Sequence, residues 1–257
     1  MTITAVIITQ NEERNIGRCL RSLQDVVDEI VVVDSGSTDA TESICRGAGA
    51  RFERHSWEGF AGQKNYANSL ASCQWILSID ADEALSERLR ESIRQLKTAG
   101  DETQTGNIVY SFNRIANYCG HWIRHSGWYP DWCCRLWKKD AARWDGVVHE
   151  ELHFDGEVHH KKLVGDLEHY SYYSVSEHLT RISKYATLGA EQYYERGKRC
   201  GAASIVLRPL WNFIRNYFLK GGILDGWAGF TICRITAMYT MVKYAELYRL
   251  CHKTVDS

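Results

Sequence analysis

The sequence carries almost no net charge. Its 31 Lys and Arg residues are balanced by 32 Asp and Glu residues, so the formal net charge is -1. The basic residues are dispersed, except at a few places near the C-terminus. Because a nucleic-acid binder usually presents a concentrated basic patch, we expect no nucleic-acid partner.

Cysteine motifs and a secretory signal are also missing. The chain has nine cysteines, yet no Cys-x-x-Cys pair occurs, and the adjacent Cys133 and Cys134 have the wrong spacing for a zinc knuckle. Residues 1–4 lead directly into a strand-like run, without the basic and apolar regions of a signal peptide. We therefore expect a cytoplasmic protein with reduced, mostly buried thiols.

The sequence further lacks long apolar runs and glycine-rich phosphate loops. No uninterrupted apolar stretch reaches the ~20 residues needed to cross a bilayer. No Gly-x-Gly-x-x-Gly follows the first apolar run, and no Gly-x-x-x-x-Gly-Lys-Ser/Thr occurs anywhere. These absences argue against a membrane-spanning protein, a dinucleotide-dependent dehydrogenase and a P-loop NTPase.

The first hundred residues alternate short apolar runs with helix-like segments. Apolar, largely β-branched runs cover Ile3–Thr9, Glu29–Asp34 and residues 75–80. Between them, apolar residues recur at helical spacing, as in residues 16–23. This alternation predicts an α/β fold that is Rossmann-like, with a mostly parallel central sheet and helices on both faces.

Polar side chains stand at the ends of these apolar runs. In a parallel sheet Thr9, Asp34 and Asp80 would meet at one edge, where ligands of open α/β sheets bind. Asp80 and Asp82 could face the same way and bind a divalent cation whose other ligands come from a diphosphate. Lys64 could add a positive charge for that diphosphate. The alternative for Asp80 and Asp82 is a structural acidic turn before a helix, which is the usual meaning of a lone Asp-x-Asp. The alternative for Lys64 is a solvated helix face.

The sequence changes character near residue 107. Aromatic residues crowd residues 122–144, where they suit either sugar rings or the core of a mixed β region. Glu150 follows a short strand-like run and is a candidate general base. His169 follows another and is a candidate metal ligand or phosphate contact, although a lone histidine is more often a structural hydrogen-bonding group.

The C-terminal third is predicted to be helical. Residues 176–197 have the apolar spacing of an amphipathic helix. Residues 205–220 mix aromatic side chains with three cations, and Gly221 and Gly222 separate them from a second apolar helix. Both segments are typical of amphipathic helices that lie on a bilayer surface. Pairing with another subunit, or covering the sheet, are the alternatives.

Four N-terminal motifs occur together in a recognisable order. They are Thr9 with Asn11-Glu12-Glu13, residues 33–41 around Asp34, residues 63–67 around Lys64, and Asp80-Ala81-Asp82-Glu83. Together they resemble family 2 glycosyltransferases of GT-A fold. Residues 127–131, 135–137, 147–150 and 220–226 are similar to the lipopolysaccharide-core β-glucosyltransferase branch of that family.

The resemblance implies a division of the chain and a donor site. It implies a GT-A domain over residues 1–200, whose halves 1–105 and 106–200 bind the nucleotide-sugar and the acceptor, and a C-terminal helical appendage over 201–257. Asp34 would hold the donor's base and Asp80 its ribose or phosphate region. Further donor contacts are expected from Thr9, Asn11, Glu12 and Lys64.

The resemblance also implies a mechanism. Asp82 would bind Mg²⁺ or Mn²⁺ at the diphosphate, and His169 is a second candidate contact for the metal or the diphosphate. Such enzymes invert the anomeric centre in one displacement, for which a carboxylate takes the proton of the acceptor hydroxyl. Glu150 is the expected base, with Asp131 in reserve.

The leading functional hypothesis is therefore a metal-dependent, inverting glycosyltransferase. It would move a sugar, with glucose expected, from a nucleoside-diphosphate sugar to a glycolipid such as lipopolysaccharide core. We expect the protein in the cytoplasm, bound peripherally to the inner face of the cytoplasmic membrane. The C-terminal helices could instead form a homo-oligomer. A sugar-phosphate nucleotidyltransferase and a non-catalytic membrane-surface binding protein are the alternatives.

Overall fold

The computed structural model describes residues 1–99, 107–146 and 151–252. Its contacts group the chain into two compact units. The first unit combines Met1–Arg114 with Asp131–Tyr170, and the second combines Ile115–Pro130 with Ser171–Ser257. Each unit is thus built from two separate stretches of sequence, whereas the expected division at residues 105 and 200 is contiguous and stays a prediction.

The helices and strands follow one another closely along the chain. In order they are β1 (Ile3–Thr9), α1 (Ile16–Leu23), β2 (Glu29–Asp34), α2 (Thr41–Gly47), β3 (Arg51–Arg54), α3 (Gly59–Leu70), β4 (Trp75–Ser78), β5 (Glu83–Leu85), α4 (Glu87–Ala99), β6 (Asn107–Tyr118), β7 (His121–Ile123), β8 (Asp131–Lys138), β9 (Ala142–Asp145), β10 (Glu151–Phe154), β11 (Val158–Tyr172), α5 (Val175–Glu195), α6 (Ala203–Ile214), a π-helical turn (Arg215–Leu219), a 3₁₀ turn (Gly222–Asp225) and α7 (Gly226–Cys251). The chain therefore alternates strands and helices up to β4, as the sequence predicts, and β5 then follows β4 before α4 begins.

The main sheet has the strand order β3-β2-β1-β4-β8-β6-β11-β5. The four N-terminal strands are parallel, and Thr9 of β1 lies in register with Asp34 of β2. β8 pairs antiparallel with β4 and with β6, and β5 pairs antiparallel with β11. The predicted α/β class is confirmed, with the parallel arrangement confined to the first four strands and the sheet as a whole mixed.

Both faces of the parallel strands are buried. Ile3, Ala5 and Ile7 of β1 belong to one apolar cluster, which includes Leu20 of α1, while Val6 belongs to a second cluster with Ala67 of α3. Successive side chains of a strand point to opposite faces, so these two clusters lie on the two sides of the sheet. This explains why β1 and β2 read as continuous apolar runs, and it confirms helices on both faces.

One glycine sets the approach of α4 to β11. Gly165 has φ +115°, and a Cβ placed on it would lie 2.3 Å from the backbone nitrogen of Leu89. Any larger residue would push α4 away from this part of β11. Asp166 and His169 follow Gly165 in the same strand. A glycine is therefore required here both by conformation and by space.

The second unit is built largely from helices. Ala190 of α5 packs with Tyr244 and Leu247 of α7, and Gly189 leaves room beside it for the side chains of α7. In contrast, none of the residues of α6 is fully buried. Among the described residues, no helix combines the length and apolarity that a membrane crossing would require.

Candidate active site

A cleft of about 380 Å³ opens where the parallel strands of the first unit end. It is lined by Ile8, Thr9, Gln10, Glu12, Ser35, Trp57, Phe60, Lys64, Asp80, Ala81, Asp82 and His169. The structure thus brings together six of the residues singled out in the sequence, from β1, α3, the turn after β4 and β11. Asn11, Asp34 and Asp131 do not line this cleft, and Glu150 lies outside the described residues.

The turn after β4 is closed by its own hydrogen bonds. The backbone nitrogen of Ile79 donates to the carbonyl of Val6, which extends the ladder between β1 and β4 by one step. The Glu83 nitrogen then donates to the carbonyl of Asp80, and the Asp80 nitrogen donates to Glu83 Oε2, both at 3.0 Å. This reciprocal pair fixes the chain between the two residues, so the position of Asp82 is set by the turn itself.

Five side chains at the cleft and next to it form what we call the charge cluster: Lys64, Asp80, Glu83, Arg114 and Arg135. Arg135 Nη2 lies 2.9 Å from Asp80 Oδ2 and 2.5 Å from Glu83 Oε1. Lys64 Nζ lies 3.6 Å from Asp80 Oδ1, and Arg114 Nη1 lies 3.7 Å from Glu83 Oε1. Two carboxylates are therefore surrounded by three cations.

The charge cluster is deeply buried at Glu83 and Arg135, which strengthens the electrostatic interaction between them. Glu83 is 1 % exposed and Arg135 is 4 % exposed. Burial alone would raise the pKa of Asp80, but the charges of Arg135 and Lys64 outweigh it and hold that pKa well below its ordinary value. Burial raises the pKa of Glu83, although Arg135 opposes this change. Asp80 is thus ionised and already neutralised by the protein's own cations.

Lys64 is held between the cluster and an aromatic ring. Its ammonium group lies 4.5 Å from the centroid of the Trp144 ring, at the distance of a cation–π contact. The neighbouring Asn65 exchanges two hydrogen bonds with the Trp144 backbone, of 2.8 and 2.9 Å, and so attaches β9 to α3. The buried position of Lys64 contradicts the solvated helix face, while its role at a diphosphate stays a prediction.

Asp82 faces a histidine instead of an arginine. Its Oδ2 lies 3.2 Å from His169 Nε2, and its carbonyl accepts a hydrogen bond of 3.0 Å from the Tyr170 nitrogen. Burial by itself would lower the pKa of His169, but the hydrogen bond and charge of Asp82 raise it overall. A carboxylate and an imidazole that face each other in a cleft are a plausible pair of metal ligands.

The pair does not form a complete metal shell. Within the described residues, no group of three or more His, Cys, Asp and Glu side chains is arranged to hold an ion. A cation bound by Asp82 and His169 would therefore take its remaining ligands from a bound molecule or from water. Mg²⁺ typically binds in this way, with one or two carboxylates and the phosphates of a substrate.

Thr9 presents an unpartnered hydroxyl to the same cleft. Its Oγ1 is buried and has no hydrogen-bond partner among the described residues. A buried polar group without a partner is unfavourable and is rare in folded proteins. A ligand with a polar atom at this point of the cleft would satisfy the hydroxyl.

The loops after β1 and β2 are joined by Asn11, which the sequence assigned to the donor, and by Glu13, which it did not. Asn11 has φ +54°, its Oδ1 accepts a bond of 2.8 Å from the Thr38 nitrogen, and its own nitrogen donates to the Ser37 hydroxyl. Glu13 Oε2 accepts from the Ala40 nitrogen at 3.0 Å. Asn11 therefore shapes the loops, while Glu12 lines the cleft.

Asp34 is likewise engaged by its own loop. It is 1 % exposed, and its Oδ2 accepts hydrogen bonds from the nitrogens of Gly36 and Ser37 at 3.0 and 2.8 Å. The Ser37 hydroxyl donates to Asp34 Oδ1. Ser35, the next residue, lines the cleft and accepts a bond of 2.6 Å from Gln63 Nε2. Asp34 thus fixes the loop whose first residue reaches the cleft.

Asp131 lies at the outer end of the charged side chains. Arg114 contacts it twice, through Nε at 2.9 Å and Nη2 at 2.7 Å, and the same arginine reaches Glu83 in the charge cluster. The Asp131 nitrogen donates to Asn113 Oδ1 at 2.9 Å, which fixes the start of β8. The reserve candidate for the base is thus an ion-paired, partly exposed carboxylate.

Sequence reasoning missed Arg135, Glu83 and the two aromatic residues at the cleft. Glu83 is the last residue of the Asp80 motif and Arg135 belongs to another noted motif, so both had a signal, but neither was assigned a role. Trp57 and Phe60 had no such signal. They are exposed, line the cleft, and contact each other edge to face with ring centroids 4.8 Å apart.

Comparison with known proteins gives a consistent family match. The sequence model described as Glycosyl transferase family 2 matches residues 4–238. The lipopolysaccharide core biosynthesis glycosyltransferase LpsC of Rhizobium meliloti (strain 1021) is 33 % identical over 256 residues, which cover 97 % of this chain and 93 % of that protein. The uncharacterized glycosyltransferase RP128 of Rickettsia prowazekii (strain Madrid E) is 28 % identical, covering 98 % of this chain and 88 % of that protein.

A solved structure matches over a smaller part of the chain. Glucosyl-3-phosphoglycerate synthase from Mycobacterium tuberculosis, crystallised with Mn²⁺ and UDP-glucose, is 26 % identical with a TM-score of 0.35. The match covers 42 % of this chain and 43 % of that one.

Proposed function

The chain belongs to glycosyl transferase family 2, and from that premise we propose that it transfers a sugar from a nucleoside-diphosphate donor to a lipid-linked saccharide. The proposed donor is UDP-glucose and the proposed acceptor is a glycolipid such as lipopolysaccharide core. The acceptor class is supported by the relative from Rhizobium meliloti, whose name places it in lipopolysaccharide core biosynthesis. The proposed transfer inverts the anomeric centre.

Asp82 and His169 are the residues proposed to hold a divalent cation. The pair fits Mg²⁺ or Mn²⁺ because it offers a carboxylate and an imidazole 3.2 Å apart, within a cleft. When bound, the cation would neutralise the charge that grows on the leaving diphosphate. Asp82 is the better first ligand, since Asp80 is already bound by Arg135 and Lys64.

The charge cluster is proposed to hold this ligand in place. Arg135 and Lys64 neutralise Asp80, and Asp80 with Glu83 closes the turn that carries Asp82. A side chain held in this way needs little reorganisation when the donor binds. Asp80 would contact the ribose or phosphate of the donor through the solvent-facing part of its side chain, which is 32 % exposed.

Contacts to the remainder of the donor are proposed from the loops after β1 and β2. The Thr9 hydroxyl has no partner among the described residues and is free to bind a donor oxygen. Asp34 and Asn11 would act on the base and ribose mainly by shaping the loops that present Ser35 and Gln10 to the cleft, while Glu12 would contact the donor from the cleft lining. Trp57 and Phe60 offer rings against which a base or sugar could pack.

Glu150 is proposed as the base that accepts the proton of the acceptor hydroxyl, and Asp131 as its substitute. The proton moves from the hydroxyl oxygen to a carboxylate oxygen as that hydroxyl attacks the anomeric carbon, and the diphosphate leaves on the opposite side. Asp131 would first have to be freed from its two contacts with Arg114. Replacement of Glu150 by Gln should retain donor binding and abolish turnover, and an unchanged rate would assign the base to another residue.

The observation that carries the proposal is that Asp82, His169 and the unpartnered Thr9 hydroxyl line one cleft. The test is a screen of nucleotide-sugars for hydrolysis, with and without Mg²⁺ or Mn²⁺, reading which diphosphate is released. We expect metal-dependent release of UDP from UDP-glucose. Release of pyrophosphate from a nucleoside triphosphate would support nucleotidyl transfer instead. If calorimetry detects no metal-dependent binding of any nucleoside diphosphate, catalysis at this cleft is contradicted.

A peripheral contact with the inner face of the cytoplasmic membrane is proposed for the helices of the second unit. Support comes from α6, in which no residue is fully buried although most are apolar. An enzyme that acts on a lipid-linked acceptor must work beside a membrane, and an amphipathic helix at the surface supplies such a contact. Self-association through the same helices is the competing role.

A further inference from the structure

The helix α6 exposes apolar side chains in a run. Val206, Leu207, Leu210 and Trp211 are all more than half exposed, at 66, 61, 54 and 56 %. Phe218 and Leu219 in the following π-helical turn are exposed as well. Soluble proteins rarely leave a contiguous apolar surface of this kind without a binding partner.

A depression of about 580 Å³ lies beside these side chains, within the second unit. We call it the basic hollow, and it is lined by Tyr193, Ala203, Ser204, Leu207, Arg208, Trp211, Asn212, Arg215, Thr240, Lys243 and Tyr244. Three of these residues are cations and none is acidic. Leu207 and Trp211 belong both to the hollow and to the exposed apolar surface, so the two features are continuous.

Aromatic rings position the cations of the basic hollow. Arg208 Nη1 donates a hydrogen bond of 3.0 Å to the Tyr244 hydroxyl, and its guanidinium carbon lies 4.7 Å from the centre of that ring. Lys243 Nζ lies 4.4 Å from the centre of the Tyr193 ring. Rings attract cations without neutralising them. In the described part of the chain, no carboxylate forms an ion pair with Arg208, Arg215 or Lys243, so their charge is available to an anion.

The surrounding segment has an excess of positive charge. Residues 203–252 contain six Arg and Lys residues and two acidic residues. Asp225 is almost fully buried and lies 2.8 Å from His125 Nδ1, while Glu246 pairs with Arg249 at 2.7 Å. Neither acidic side chain therefore offsets the charge of the hollow. A second copy of this chain would present the same positive surface and would be repelled across a symmetric interface.

We propose that the basic hollow binds the phosphate of an anionic membrane lipid while Leu207 and Trp211 enter the interfacial layer. An arginine with two parallel donors and a nearby ammonium suit a phosphate, and the apolar side chains at the rim suit acyl chains rather than a fully soluble anion. The site is separate from the sugar-transfer cleft, and the inference rests on the membrane contact proposed above. It adds to that membrane contact a specific binding site for a lipid phosphate.

The test measures the binding of the full chain to lipid vesicles. Vesicles of phosphatidylcholine alone are compared with vesicles that also contain phosphatidylglycerol, by co-sedimentation. We expect the anionic vesicles to bind the protein more tightly, and the double variant Arg208→Gln/Lys243→Gln to lose roughly fivefold in binding for each charge removed. The control is Arg196→Gln/Arg199→Gln, which removes the same two charges from exposed positions outside the hollow and should bind as the unchanged protein does.

A conservative variant separates a phosphate site from diffuse attraction. Arg208→Lys keeps the charge but loses the paired donors, so a phosphate site predicts weaker binding to anionic vesicles. Binding equal to that of the unchanged protein would overturn the site, as would equal losses in the control and the double variant. The thermal unfolding midpoint of each variant is recorded alongside, and a variant that is not folded is replaced by Arg215→Gln.

Two further outcomes distinguish other occupants. Inorganic phosphate is added to protein bound to anionic vesicles, at constant ionic strength. If it lowers the bound fraction to that of the double variant, the hollow binds a soluble phosphate and the lipid assignment is overturned. A dimer in sedimentation velocity that the double variant abolishes would assign it to a second copy. Hydrolysis of a soluble nucleotide-sugar should be equal in all these variants; its absence in every one would refute the proposed function without affecting the vesicle result.

Discussion

Arg135 and Arg208 carry the same guanidinium group in opposite surroundings. Arg135 is 4 % exposed and bonds to the carboxylates of Asp80 and Glu83. Arg208 is exposed and contacts the hydroxyl and ring of Tyr244. The first cation is neutralised inside the protein, whereas the second keeps its charge at the surface.

The difference indicates what each region is prepared for. In the charge cluster the cations and carboxylates satisfy one another, so the turn that presents Asp82 is rigid before any ligand arrives. In the basic hollow the positive charge and the apolar rim are both unsatisfied, which is the state expected of a surface awaiting a partner. The variants below test this contrast, beginning with the largest expected effect.

Replacement of Arg135 by Met should destabilise the protein strongly. It leaves the buried Glu83 without its nearest cation and removes one of the two cations beside Asp80, and the loss of a buried charge's partner typically costs about 3–5 kcal/mol of unfolding free energy. Urea denaturation measures the change. The matched variant Arg208→Met should alter the unfolding free energy by only about 0.5 kcal/mol, as is usual at the surface. Similar losses in the two variants would refute the contrast between the regions.

Replacement of Asp82 by Asn should separate function from stability. The side chain lies in the cleft and bonds to His169 instead of a buried arginine, so the fold should be retained. Removal of a proposed metal ligand should lower sugar transfer by at least ~100-fold, by analogy with the loss of one transition-state contact. Nucleotide-sugar turnover at saturating Mn²⁺ measures this effect. Full activity, in the variant or in the presence of a chelator, would remove the metal role.

Replacement of Thr9 by Val should have a smaller effect, limited to binding. The hydroxyl has no partner among the described residues, so its removal should leave the unfolding free energy nearly unchanged. If the hydroxyl binds the donor, affinity should fall about fivefold, since one hydrogen bond contributes roughly 1 kcal/mol. Calorimetric titration with the nucleoside diphosphate measures the change, and Thr9→Ser serves as the control that keeps the hydroxyl. A marked loss of stability in Thr9→Val would contradict the unpartnered position.

Two histidines extend the comparison to pH. The pKa of His169 is raised by Asp82 despite burial, whereas burial and the charge of Arg181 lower the pKa of His178 to about 4. Because the folded pKa of His178 lies below its value of about 6.5 in an unfolded chain, its contribution to stability is complete above about pH 6.5 and declines as the pH falls toward 4. His178→Gln should flatten the dependence of the urea midpoint on pH in this range. An unchanged slope would show that His178 is not the responsible group.

The alternation of β1, α1, β2 and α2 was predictable because its signals are local. A strand of β-branched residues buried on both faces needs only a continuous apolar run, and Ile3–Thr9 and Glu29–Asp34 each supply one. Thr9, Asp34 and Asp80 were predicted to meet for the same reason, since parallel strands end at a common edge; Thr9 and Asp80 line the cleft, whereas Asp34 does not. The antiparallel strands after β8 have no such repeated signal, and so the mixed character of the sheet was not predicted.

The amino-acid sequence by itself determined the α/β class, the strand-end carboxylates and the apolar, basic character of the C-terminal helices, because composition and spacing along the chain encode them. Only the tertiary structure decided which carboxylate is neutralised. Arg135 reaches Asp80 across 55 positions of sequence, and His169 reaches Asp82 across 87. Two aspartates one residue apart look alike in sequence, and they differ because strand pairing brings a guanidinium to one and an imidazole to the other.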